Sequence, residues 1–169
     1  MKTILFLCLI VSTQLVQCQK ASPADSEQEI NTLLEAWHKA AADADFDTYF
    51  GLMTADSYFL GTDATENWSH EKFKAYSKPH FDKGKAWSFS TLERNIFVKT
   101  GDDTAWFDEH LDTQMGICRG SGVLKKVDGY WKIEHYVLSI AVPNENVSEL
   151  TAIKKEWDSI QSIKMLNNN

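Results

Sequence analysis

Three residues in the second half of the chain are of types that move protons or hold charge, and each sits among apolar neighbours. Glu109 falls in a run over about 103–113, where Ala105, Phe107 and Leu111 alternate with Trp106, Asp108, His110 and Asp112. Alternation at period two places Glu109 on the apolar face of a strand. A carboxyl group in such a row has two uses. Desolvation can raise its pKa and make it a general acid or base, or it can neutralise a buried arginine. Arg94 supplies that arginine. It is the only charge on a face shared by Ser88, Ser90, Leu92, Ile96 and Val98. As a functional group it would hold an anionic or enolate oxygen. As a structural group it would pair with Glu109, because buried charges rarely stay unpaired.

The third residue is His135. Asp128-Gly129, between Val127 and Tyr130, is the strongest short hairpin signal, since a type I′ turn needs positive φ at both central positions. A two-residue loop sets Trp131 opposite Lys126, Ile133 opposite Leu124, His135 opposite Gly122 and Val137 opposite Gly120. His135 then lies on a mostly apolar face, with two glycines leaving room beside it for a ligand. Histidine titrates near neutral pH and suits proton transfer, yet a lone histidine on such a face is more often a satisfied core residue. A β-bulge would shift one strand's half of this pattern. Tyr136 and Arg119 fall on the opposite face, as dimer contacts or structural hydrogen-bonding groups, unless a bulge turns Arg119 inward.

Asp63 and Glu66 sit in a polar loop, where carboxylates are usually solvated. Tyr58, Phe59 and Trp68 can line a pocket or pack in the core. The five histidines are scattered, with no H-x-x-x-H or cysteine-pair spacing, so no metal is expected. There is no P-loop, dinucleotide fingerprint or G-x-S-x-G elbow. No cofactor is expected.

The elements that must position these residues follow from periodicity. Ser26-x-x-Glu29 is a capping box ahead of Ile30, Leu33, Leu34, Trp37 and Ala41, which predicts a helix over about 26–43. Asp45 can cap a second short helix. Ser57–Gly61 is a strand, 62–67 a loop, and Ser69 can cap a third helix over about 70–82 that Pro79 bends or ends. Strand signals follow over about 85–99, 103–113, 117–127 and 130–141. A last helix over about 146–166 carries Leu150, Ile153, Trp157, Ile160 and Ile163 as an expected buried stripe. Helices followed by long antiparallel strands make an α+β fold, and a curved sheet around the first helix leaves an open mouth suited to a small molecule.

The chain has 169 residues and a formal net charge of −7. That balance argues against nucleic acid and anionic lipid as partners. Lys2 followed by the apolar run Ile4–Val11 has the shape of a secretory signal, with cleavage expected near residue 18. Export to the periplasm or medium is therefore expected. Gln17 before Cys18 disfavours lipoprotein anchoring at that cysteine. Cys118 reads as a small buried core residue.

Four segments carry a resemblance to a known family. They are Leu60–Ala64 with Trp68-Ser69, Ala105–Glu109, Arg119–Leu124 and Asp128–Tyr136. Over about residues 26–143 the chain resembles the SnoaL-like branch of the nuclear transport factor two-like superfamily, relatives of ketosteroid isomerase and polyketide cyclase. The resemblance implies a cone with three N-terminal helices, a curved, mostly antiparallel sheet and a deep apolar pocket, often in a homodimer. It also implies a pocket-facing histidine near position 135. The superfamily hosts both enzymes and non-catalytic modules on one scaffold. The expected function is binding of a small apolar molecule. Glu109 and His135 would be catalytic in a cofactor-free isomerase, cyclase or hydratase, and Tyr58, Trp68, Arg94, Phe107 and Arg119 would touch the ligand. The rival expectation is a binding or dimerisation module without catalysis.

Overall fold

The computed structural model describes residues 22–167. The expected leader and Cys18 lie outside the described residues. Helix α1 spans Pro23–Ala42. It starts three residues before the expected point, because Ser22 and Asp25 form the capping box. Ser22 Oγ accepts from the Asp25 N–H at 3.2 Å, and Asp25 Oδ2 accepts from the Ser22 N–H at 3.2 Å. Pro23 at the first helical position suits that start. Ser26, the expected cap, is buried inside the helix. The inward stripe is Ile30, Leu34, Trp37, His38 and Ala41.

Helix α2 is Phe46–Gly51, capped by Asp45, whose carboxylate accepts from the Thr48 N–H at 3.1 Å. Strand β1 (Met53–Leu60) is longer than the brief run expected, and β2 (Asn67–Ser69) occupies the end of the expected loop. Helix α3 (His70–Phe81) continues two residues past Pro79, and Ser69 stands at its cap without a side-chain capping bond. Four long strands follow: β3 (Ser90–Phe97), β4 (Thr104–Thr113), β5 (Gly116–Val127) and β6 (Tyr130–Ile140). The sheet order is β2-β1-β6-β5-β4-β3, antiparallel except where β1 runs parallel to β6. Its inner face wraps α1 and α3, and the core lies between them.

Two bulges correct the expected faces. The Asp128-Gly129 turn has φ of 51° and 84°, as a type I′ turn requires, and Leu124 pairs with Ile133 as expected. The register then slips: Val123 pairs with His135, Gly122 with Tyr136 and Gly120 with Leu138. Glu134 and His135 together oppose one residue, so every later side chain of β6 changes face. Tyr136 and Leu138 point inward, while His135 and Val137 do not. A second slip between Thr91 and Glu93 leaves Leu92 57% exposed and puts Thr91 on the inner face with Arg94.

After a 3-10 turn at Asn144–Asn146, helix α4 runs over Val147–Asn167 with no buried residue. The expected buried stripe is instead exposed: the spacing is helical, but among the described residues no strand packs closely enough to bury it. Truncation after Asn146 is therefore expected to change unfolding free energy by less than about 0.5 kcal/mol. Urea denaturation in dilute solution checks this.

Candidate functional site

Glu109 is 1% exposed and is fully engaged. Its Oε1 lies 2.9 Å from His38 Nε2 and accepts from the Tyr136 hydroxyl at 2.9 Å. Its Oε2 accepts from Arg94 Nε at 2.9 Å and Nη2 at 2.7 Å. An ionised carboxylate only accepts, so His38 carries its proton on Nε2. Arg94 is saturated too. Its Nη1 donates to Asn31 Oδ1 and Glu35 Oε1, each at 2.8 Å, and Nη2 donates to Thr91 Oγ1 at 2.9 Å. All the N–H groups of the guanidinium thus have acceptors.

Burial pushes the Glu109 carboxyl pKa up. The hydrogen bond from His38, its charge when protonated, and the Arg94 guanidinium outweigh burial and leave the carboxyl below the ordinary glutamate value. Burial first, and the Glu109 charge second, push the Tyr136 phenol well above its usual range, so it remains a donor.

The glycines explain the fit. A Cβ on Gly120 would stand 2.2 Å from the Tyr136 hydroxyl and 2.9 Å from Glu109 Cγ. A Cβ on Gly122 would stand 2.5 Å from the His135 carbonyl oxygen and 2.7 Å from the Phe107 ring. The room that the glycines leave is filled by the chain itself.

Of the pairings expected between Glu109, Arg94 and His135, only the first two meet. The bulge removes His135 from the inner face and brings Tyr136 in. Tyr58 is 49% exposed on the outer face beside His135. Arg119 is exposed on that same face, opposite His110 and Ser139. Phe107 is a core residue against Gly122 and Tyr136, away from any cavity wall. Asp63 Oδ1 accepts from the Thr65 hydroxyl at 2.5 Å and from the Thr65 N–H at 2.8 Å; these bonds turn its own loop and hold its carboxyl below the usual range.

An aromatic cavity lies elsewhere, at the end of the sheet that bears the β4–β5 turn, between α3, the loop after β1 and residues 86–89. Its volume is about 280 Å³, near the lower limit of ligand pockets. Phe59, Trp68, Phe73, Tyr76, Trp87 and Phe89 supply aromatic walls, and Glu66 and His80 add polar groups. Trp68 stacks on Tyr76 with ring centroids 4.3 Å apart, and Phe59 on Phe73 at 4.0 Å. Leu138 belongs to the lining and Glu109 does not. A wider hollow of about 820 Å³ opens at the other end, between α1 and the hairpin tip, beside Leu33, Leu52, Tyr130 and Trp131. Among the described residues no group of three His, Cys, Asp or Glu side chains is placed to hold a metal ion.

The family pattern of a SnoaL-like domain matches residues 30–143. The chain belongs to the SnoaL-like domain family. Solved structures agree on the fold. An NTF2-like protein of unknown function from Pseudomonas putida KT2440 is 16% identical, with 75% of this chain and 94% of that one covered and a TM-score of 0.61. An NTF2-like protein from Cytophaga hutchinsonii is 18% identical, covering 68% and 98%, with a TM-score of 0.58. The association domain of C. elegans CaMKII is 19% identical, covering 68% and 95%, with a TM-score of 0.56. At these identities the likeness concerns the fold alone. No curated protein matches.

In this SnoaL-like chain, sequence reasoning missed His38 and Tyr136. His38 stands four residues after Leu34 and three before Ala41, inside the buried stripe of α1, and that spacing was the available signal. Tyr136 needed the bulge, which no residue type announces.

Two predictions follow from the network. Gly120→Ala should cost about 1–3 kcal/mol by displacing the Tyr136 hydroxyl, read from urea midpoints. Glu109 also links stability to pH. Its folded pKa lies below the unfolded value of about 4.3, so its contribution is complete above that value and is lost as pH falls through the folded one. Wild type should lose more stability than Glu109→Gln between about pH 5 and pH 3.

Proposed function

We propose that this SnoaL-like domain binds a small, flat, apolar molecule in the aromatic cavity beside the β4–β5 turn, without Glu109 or His135 acting on it. The observation that carries this reading is the separation of two sites. Six aromatic rings line the cavity, while Glu109 and Arg94 are saturated and outside its lining. Freeing either for a substrate would leave a buried charge unpaired, at a cost of about 3–5 kcal/mol.

An enzymatic reading draws on a different observation. The titratable side chains on the cavity wall are Glu66, Tyr76 and His80, and acid/base chemistry on a bound molecule would fall to them. The apolar run at residues 4–11 supports export in either case. The outer sheet face supports contact between two copies. Phe97 and Trp106 stack there with centroids 5.7 Å apart, both exposed, in one cross-strand row with Val123, His135 and Tyr58. Arg119 lies on that same face. Tyr136, expected there, does not.

Native mass spectrometry against a panel of planar aromatic compounds tests the binding reading, with tryptophan fluorescence to follow affinity. Trp68→Ala should weaken a bound compound about tenfold, the value of one lost stacking contact. Glu109→Gln, if folded, should bind as wild type does. A panel with no binder, or a Glu109→Gln variant that folds and no longer binds, would overturn the proposal.

A further inference from the structure

Helix α4 is a 21-residue element with no buried side chain; among the described residues its main packing partner is the 3-10 turn before it, and Leu150 and Ile153 border an open hollow with Ile140, Val142 and Pro143 without being buried by them. Ile153 is 74% exposed and Trp157 is 37% exposed, and Leu150 and Ile160 are exposed as well. Helices owe most of their stability in water to packing of an apolar face. A run of large apolar side chains left open on one marks an interaction surface.

The spacing and charges of that run say what covers it. Leu150, Ile153, Trp157 and Ile160 are spaced three, four and three residues apart, the a and d positions of a heptad seam. Glu149 and Glu156 then occupy g, and Lys154 and Gln161 occupy e. Side chains at e and g set the orientation of paired helices. In a parallel pair, g faces the e position five residues on in the other helix. Glu149 then meets Lys154 of the partner subunit, and the contact occurs twice by symmetry. An antiparallel pair would instead set Glu149 against Glu156 of the partner subunit, a like-charge contact made twice. Within one chain, Lys154 bonds Asp158 at 3.0 Å, but that pair is exposed and readily exchanged.

A lipid surface fits less well. The helix carries Glu149, Glu156 and Asp158 against Lys154, Lys155 and Lys164, so it lacks the basic excess that draws helices to anionic membranes. No helix among the described residues is long and apolar enough to cross a bilayer.

We propose that α4 is a self-association arm that pairs in parallel with α4 of a second copy through Leu150, Ile153, Trp157 and Ile160. Leu at a with Ile at d leans toward more than two strands, so the assembly is a dimer or larger. The seam is shorter than the three or four heptads of a free-standing coiled coil, so association is concentration-dependent. The inference is independent of the ligand-binding reading and uses a different surface from the outer sheet face.

Sedimentation equilibrium of the chain without its apolar leader, in a Trp106→Glu background that removes any sheet-face contact, tests it. The parent should self-associate below about 200 µM. Trp157→Glu should weaken association at least about tenfold. Glu149→Lys and Lys154→Glu should each weaken it, and the double exchange E149K/K154E should restore it to within about threefold. A monomeric parent, an unaffected Trp157→Glu variant, or a Glu149→Lys variant that associates more tightly would each overturn the proposal. The last would mark an antiparallel pair.

Discussion

A carboxylate buried in a protein must find donors for both its oxygens or give up its charge. In this chain that requirement falls on Glu109, and four elements converge to meet it: α1 with His38, β3 with Arg94, β4 with Glu109 itself and β6 with Tyr136. The result joins the first helix to the far edge of the sheet. Asn31 and Glu35 on α1 complete the shell of Arg94 and make the tie double. Such a network is weak evidence for net stability, because desolvation offsets most of the attraction. Its effect is on register. A one-residue slip in β3 or β6 would strand a charge in the interior, so the network selects one alignment of the sheet over its neighbours.

That constraint also separates the charged cluster from the aromatic cavity. The charged cluster uses its hydrogen-bonding capacity on itself and leaves the cavity beside the β4–β5 turn to aromatic rings. Trp68, Tyr76, Phe59 and Phe73 stack in pairs there, which fixes their planes relative to one another. Rigid walls of this kind reduce the ordering cost of binding. The tight Gly120 contact belongs to the same division. It brings the Tyr136 hydroxyl to the carboxylate.

The sequence was legible wherever one period ran unbroken. Period two located β3 to β6, and Asp128-Gly129 set the first four pairs of the hairpin. Glu109 on the inner face and Arg94 as its partner followed from alternation and from the cost of unpaired charge. The failures share a cause. At Leu92 and at Glu134-His135 an extra residue is accommodated in one strand, and alternation read through it assigns the wrong face beyond. Twist and packing of the whole sheet decide such bulges, and no local residue type encodes them. The start of α1 moved because two successive capping boxes are present, Ser22–Asp25 and Ser26–Glu29, and Pro23 favours the earlier one. For α4 the periodicity was real, but a helical stripe states only that a face needs covering.

The extra residue at Glu134 has a consequence for comparing this chain with its relatives. Glu134 and His135 share a place that a regular strand fills with one residue, so the chain could lose one of them and keep Ile133, Tyr136 and Leu138 aimed inward. Against a relative whose strand is regular here, an alignment drawn without a gap would set an outward side chain of one protein against an inward one of the other. Motif transfer along β6 is then offset by one position, and the interior residue of a homologue is found only by counting from both ends of the strand.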